Sequence, residues 1–169
     1  IRASKAVADT VIKYGGTPLY NKVGHSFIKK RMEDTGAAFA GEISGHYYFK
    51  DFYGCDSGIA SIVYLLDLLA NSELTIDEVL DQYQSQYFVS GEINNKVSSV
   101  KDTLAKLKQL YSADAKEVIE IDGITCEFED WRFNVRGSNN EPLIRLNLEA
   151  KTVELMEEKR DEILLLIKS

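Results

Sequence analysis

Between residues 117 and 128, apolar and polar side chains alternate on both sides of Asp122-Gly123, and no other stretch constrains the fold as strongly. Successive side chains of a strand point to opposite faces, so this alternation gives an amphipathic ribbon, and Asp-Gly is a strong two-residue hairpin signal. A lone hairpin is marginal in water and needs further strands or a helix to cover its apolar face. The following residues supply both. Residues 131–135 and 143–148 read as two more strands, and an irregular extended stretch runs from 87 to 97. Val100, Leu104, Leu107 and Leu110 recur at helical spacing, and residues 152–167 close the chain as a second helix. The expectation for residues 90–169 is therefore a small α+β domain, a four-stranded, mostly antiparallel sheet packed by two helices.

The earlier residues follow a different rhythm, in which glycines punctuate alternating helices and extended segments. Residues 5–14 suit a short helix stopped by Gly15-Gly16, and residues 17–23 read as a strand. Ser26 is placed to cap a second helix containing Phe27, Ile28 and Met32, with Gly36 at its end. Residues 47–49 are aromatic and strand-like. Asp56 or Ser57 caps a helix carrying Ile59, Ile62, Val63, Leu65, Leu66, Leu68 and Leu69, apolar on most of its circumference, which predicts burial on several sides. Thr75-Ile76-Asp77-Glu78 is a capping box opening a short helix to about Tyr83. The expectation is an incomplete three-layer α/β domain over residues 1–81.

Composition excludes several classes of function. With 44% hydrophobic and 28% charged residues and only two prolines, a folded chain is expected, and no apolar run is long enough to span a bilayer. The net charge of −7, with basic residues scattered among acidic ones, argues against nucleic acid as a partner. Cys55 and Cys126 lack the spacing of a zinc site or a disulfide scaffold, and read as reduced, half-buried thiols of a cytoplasmic protein. Ile1-Arg2-Ala3-Ser4-Lys5 has neither an initiator Met nor a signal core, and reads as the interior of a longer polypeptide.

Two polar stretches could carry chemistry. Residues 136–142, Arg-Gly-Ser-Asn-Asn-Glu-Pro, offer a guanidinium, a hydroxyl, two amides and backbone N–H groups, a donor set suited to a phosphate dianion; the same residues also compose an ordinary turn. Glu42, Ser44 and His46 alternate, so an extended backbone would point all three one way to bracket sugar hydroxyls; the competing reading is a solvated hairpin. Glu-x-Ser-x-His is not a known metal-ligand spacing, and neighbouring His25 and Ser26 cannot orient one another as a triad.

Gly-His-Ser at 24–26, Gly-Glu-Ile-Ser-Gly-His at 41–46, Asp-Ser-Gly-Ile at 56–59 and Arg-Gly-Ser-Asn-Asn-Glu-Pro at 136–142 occur together in the order and spacing of the phosphohexomutases. The chain resembles the phosphomannomutase/phosphoglucomutase branch of the α-D-phosphohexomutase family, over most of its third domain and all of its fourth. By that resemblance Glu42, Ser44 and His46 contact sugar hydroxyls, while Arg136, Ser138, Asn139 and Asn140 bind the substrate phosphate. Asn140 stands where the family has Thr, and it keeps a donor. Arg2 falls near a phosphate-contacting Lys of some members, and His25 matches a histidine near the family's cleft. Ser138-Asn139 and Ile43 resemble the mannose/glucose enzymes more than the phosphoglucosamine mutases.

The resemblance also implies what lies elsewhere. Such enzymes move a phosphoryl group to and from a serine in a Thr/Ser-Ala-Ser-His-Asn-Pro loop and hold Mg²⁺ on an Asp-x-Asp-x-Asp-Arg loop; neither motif occurs in this sequence. The resemblance implies a substrate-recognition part of an intramolecular phosphotransferase, inactive alone, whose partners are a phosphosugar and the enzyme's N-terminal domains. A stand-alone phosphosugar-binding module and a piece of a phosphoglucosamine mutase are the alternatives.

Overall fold

The computed structural model describes residues 3–138 and 142–168, which form two compact units, Ile1–Gln84 and Ser85–Ser169. The fold is α+β, with six α-helices and two antiparallel sheets among the described residues.

In the first unit, α1 (Lys5–Lys13) starts where the Ser4 hydroxyl accepts from the Ala6 N–H, and it stops before Gly15, whose φ of 78° turns the chain so that the Gly16 N–H reaches back to the Val11 carbonyl. Helix α2 (His25–Thr35) ends as expected at Gly36, in the left-handed region. Strands β1 (Phe39–Gly41), β2 (Tyr47–Phe49) and β3 (Cys55–Asp56) form the sheet, in that spatial order. Ile28 and Met32 of α2 pack on Tyr48 of β2 to make a small core. Helix α3 (Gly58–Ala70) is capped by Ser57, and α4 (Ile76–Gln84) opens on a reciprocal capping box in which the Thr75 N–H donates to the Glu78 carboxylate and the Glu78 N–H to the Thr75 hydroxyl.

Three expectations fail in this unit. Residues 17–23 are not a strand, because an extended segment becomes one only against a hydrogen-bonding partner, and no described strand pairs with it. Ser26 does not cap α2; Gly24 occupies that position, without a side-chain cap. Helix α3 is not buried on several sides. Tyr64 stacks on Phe49 with ring centroids 4.9 Å apart, but Ile59 is 79% exposed and Ile62, Val63, Leu66 and Leu68 are each more than half exposed. An all-round apolar helix needs neighbours on every side, and the described residues supply them on one.

The second unit has one sheet in the order β4-β8-β7-β6-β5, five strands rather than four, all antiparallel. Its strands are β4 (Phe88–Lys96), β5 (Glu117–Ile119), β6 (Ile124–Glu127), β7 (Trp131–Gly137) and β8 (Leu143–Ala150). Period-two alternation sends Phe133 and Val135 of β7, and Ile144, Leu146, Leu148 and Ala150 of β8, to one face, where they pack with Leu107 and Tyr111 of α5 (Val100–Tyr111) and Met156, Ile163 and Ile167 of α6 (Val153–Lys168). Cys126 belongs to this core and is fully buried rather than half-buried, and burial pushes its thiol up to about 11.

The opposite face of this sheet is polar and organised in rungs. Glu127, Arg132 and Glu149 form one, with Arg132 ion-paired to both carboxylates. Thr125, Asn134, Asn147 and Glu92 form the next, and Arg136, Arg145 and Asn94 the third. The hairpin between β5 and β6 exists, but its register differs from the two-residue turn that Asp122-Gly123 predicts. Ile119 faces Thr125, which widens the loop, and the Asn134 side-chain amide holds it by donating to the Asp122 and Ile124 carbonyls.

Candidate functional site: an arginine loop and a Glu-Ser-His turn

The loop after β7 begins where sheet geometry leaves a guanidinium at the strand's end. Arg136 lies on the polar face, and only 16% of its side chain is exposed. Its Nη2 donates to Glu92 Oε2 at 3.2 Å, and Nη1 of Arg145, directly opposite on β8, donates to Glu92 Oε1 at 3.1 Å. Among the described residues, Nε of each arginine is buried without a hydrogen-bond partner. Ser138 follows, its N–H donating to the Leu143 carbonyl and closing the base of the loop. Asn139 and Asn140 lie outside the described residues, as does Arg2.

Gly137 sits between Arg136 and Ser138 because a Cβ there would come within 2.7 Å of Val100 Cγ1, the first residue of α5. The Val97 N–H donates to the Pro142 carbonyl, so the chain entering α5 runs alongside the loop.

Residues 42–46 are arranged differently from the extended segment that alternation suggests. The Glu42 N–H donates to the His46 carbonyl and the Gly45 N–H to the Glu42 carbonyl, so residues 42–46 form a tight turn between β1 and β2, and Gly45 adopts φ 83°. Ser44 and His46 meet on this turn, with the hydroxyl 2.9 Å from the imidazole Nδ1, and both are exposed. Glu42 is half-buried and turns inward: Oε1 accepts from the Gly24 N–H at 2.8 Å and Oε2 from the Tyr48 hydroxyl at 2.9 Å. That carboxylate ties the turn to the start of α2 and so brings His25, whose Nε2 lies 3.2 Å from the Ser26 hydroxyl, into its neighbourhood. Two motifs far apart in sequence are thus joined through Glu42.

Tyr48, which the sequence marks only as a strand aromatic, is the buried support of this carboxylate. Desolvation, followed by the hydrogen bond to Glu42, pushes its hydroxyl up to about 12. A phenol whose folded pKa is raised stabilises the fold below the unfolded value near 10 and loses that contribution as pH rises through about 12. Alkaline titration followed at 295 nm is expected to show a late component that Tyr48→Phe diminishes. An unchanged curve would detach Tyr48 from Glu42.

Glu92 and Arg145 are the site residues that sequence reasoning misses. The available signal is the parity of Arg136 and Arg145 on neighbouring strands; for Glu92 it is hidden by a bulge. Among the described residues no group of three or more His, Cys, Asp or Glu side chains is gathered to hold a metal ion, and no helix is long and apolar enough to cross a membrane.

A two-unit α+β chain with a basic loop on one sheet and a Glu-Ser-His turn on another defines a class that comparison with known proteins specifies. The profile described as phosphoglucomutase/phosphomannomutase alpha/beta/alpha domain III matches residues 1–87, and that of the phosphoglucomutase/phosphomannomutase C-terminal domain matches residues 92–166. The chain belongs to the phosphoglucomutase/phosphomannomutase family. It is 40% identical to a phosphomannomutase of Escherichia coli (strain K12) over 167 residues, covering 98% of this chain and 37% of that protein. Against a phosphomannomutase of Vibrio cholerae it is 41% identical over 169 residues, 99% of this chain and 36% of the relative. A crystal structure of a phosphoglucomutase/phosphomannomutase family protein from Burkholderia thailandensis superposes with a TM-score of 0.80 at 32% identity, over 96% of this chain and 34% of the other. The chain therefore spans little more than a third of the length of these relatives.

Proposed function

We propose that this chain is the substrate-recognition part of a cytoplasmic phosphohexomutase interconverting the 1- and 6-phosphates of mannose or glucose through a bisphosphorylated sugar and a phosphoserine enzyme. The observation that carries the reading is the Arg136 guanidinium, held at the mouth of a loop beside Ser138 with little exposure to water. A solvated turn arginine has no reason to be held by a carboxylate and flanked by a second guanidinium. In this reading Arg136, Ser138, Asn139 and Asn140 grip the phosphate that is not reacting, with the guanidinium as charged fork and the loop's neutral groups as further donors. Glu42, Ser44 and His46 hold sugar hydroxyls: Ser44 and His46 from the exposed side of their turn, and Glu42 with lone pairs left over from Gly24 and Tyr48. Arg2 and His25 add to these sites.

Because the intermediate must present each of its phosphates in turn, the Arg136 loop serves both orientations, and its recognition is of the phosphate rather than of one sugar carbon. Mg²⁺ would neutralise charge at the transferring group. The described residues offer no donor set that fits the cation, and the reading assigns it, with the reactive serine, to other domains of the enzyme. The exposed apolar side of α3 is the surface this reading assigns to the rest of that protein.

The proposal is tested by mixing the chain with Mg²⁺, a hexose bisphosphate and mannose 1-phosphate. No conversion to the 6-phosphate is expected, because phosphoryl transfer needs both the nucleophile and the cation. Turnover above that of an Arg136→Ala chain would contradict it.

A further inference from the structure

Glu92 sits where it does because of a defect in its strand. Val89 faces Glu149, whereas Glu92 faces Asn147, so the pairing of β4 with β8 slips by one residue across Ser90-Gly91. Gly91 takes φ 69°, and the Ser90 hydroxyl donates to the Gly91 carbonyl and accepts from the Leu148 N–H. This is a β-bulge. In a regular strand the next pairing would set residue 92 opposite Leu146, on the core face; the slip turns it to the polar face instead.

On that face it meets an arrangement that is unfavourable without it. Arg136 and Arg145 are directly opposite one another, and like charges in that relation repel. One carboxylate oxygen goes to each guanidinium, at 3.2 and 3.1 Å, and only 23% of the Glu92 side chain is exposed. Because each arginine is held through one terminal nitrogen, its orientation is set while its other terminal nitrogen remains for another acceptor. The pair with its carboxylate keeps a net single positive charge, which still favours a dianion.

We infer that Glu92 is a positioning residue of the anion site, which orients Arg136 in advance of the phosphate through the bulge that turns it to the polar face. The inference rests on the phosphate reading of the Arg136 loop and adds to it a cause for the guanidinium's geometry. It also has an unusual sign. A carboxylate that merely neutralised two arginines would oppose anion binding, so its removal would tighten binding; a carboxylate that orients the fork makes removal weaken it, despite the gain of positive charge.

The experiment follows the Arg136 Nε–Hε cross-peak of the ¹⁵N-labelled chain on addition of inorganic phosphate at constant ionic strength. In the native chain the cross-peak is expected to move saturably, and Glu92→Gln is expected to weaken the phosphate affinity about fivefold and to broaden the peak. Glu92→Asp keeps the charge but withdraws it by one methylene, and it should weaken binding about threefold; it decides the matter if the Gln variant does not fold. Equal or tighter binding by a folded Glu92→Gln chain, or native affinity in Glu92→Asp where the Gln chain is unfolded, overturns the inference and leaves the phosphate site standing. No movement of the Arg136 peak in the native chain removes the phosphate site and the inference together.

Discussion

Replacing Arg136 with Ala in a phosphohexomutase that contains this chain is expected to lower kcat/KM by roughly 10- to 150-fold. The figure follows from losing charge-assisted hydrogen bonds of about 1.5 to 3 kcal/mol to the bound phosphate. The fold should survive, because Glu92 keeps its ion pair with Arg145 and the strand loses no backbone bond. Both kinetic constants should move. In the proposed reading, holding the distal phosphate orients the sugar toward the reactive serine, so kcat falls as KM rises. Lys restores only part of the activity, since a point charge cannot reproduce the planar fork of a guanidinium. An exposed turn arginine would instead give a loss below about threefold, the scale of an isolated surface charge of at most ~1 kcal/mol. Steady-state kinetics on glucose and mannose phosphates separate the two outcomes.

Gly123→Ala is expected to be the most destabilising small substitution in the second unit. An added Cβ would stand 2.1 Å from the Val135 carbonyl oxygen and 2.6 Å from the Arg136 Cα, and the residue's φ of 69° already disfavours any side chain. Backbone atoms of a central strand cannot step aside, so the cost should exceed about 3 kcal/mol, or a fall of more than about 10 °C in Tm. Gly91→Ala is the control, because Gly91 has the same φ of 69° with nothing within 4 Å of the added atom. Its cost should stay near 1 kcal/mol, that of the backbone conformation alone. Equal losses in thermal melts of the two variants would mean that the close approach at Gly123 is not real. The substitution also bears on the site, since the clash is with the residue that carries the guanidinium.

How far the fold could be read in advance depended on how local its causes were. The capping box at Thr75 and Glu78, the stop at Gly36 and the period-two faces of β7 and β8 are decided by neighbouring residues, and they appear where the sequence suggests them. The strand expected at 17–23 fails because strand character depends on a partner, not on composition. Ser26 loses the capping position because Gly24 is drawn into it, its N–H bound by a carboxylate eighteen residues away in sequence. The hairpin at Asp122-Gly123 was legible, but its register was set by the amide of Asn134, on another strand.

The site divides in the same way. Its donors and hydroxyls were legible as residue types in motifs, because loops state their chemistry locally. Their geometry was not. Glu42, Ser44 and His46 alternate in sequence, yet a turn rather than an extended backbone arranges them, and Ser44 meets His46 while Glu42 reaches back to Gly24. Glu92 lies far from the Arg136 loop in sequence, and only the slipped register of β4 brings it to the same face.

The central claim, that residues 42–46 recognise the sugar and the Arg136 loop the phosphate, is tested most directly by backbone amide shifts of the ¹⁵N-labelled chain. Titration with mannose 6-phosphate is expected to give saturable changes at Glu42, Ser44 and His46 and at Arg136 and Ser138, while inorganic phosphate at the same ionic strength moves only the second group. Saturable changes confined to other residues, or a phosphosugar titration that leaves Arg136 and Ser138 unmoved, would contradict it.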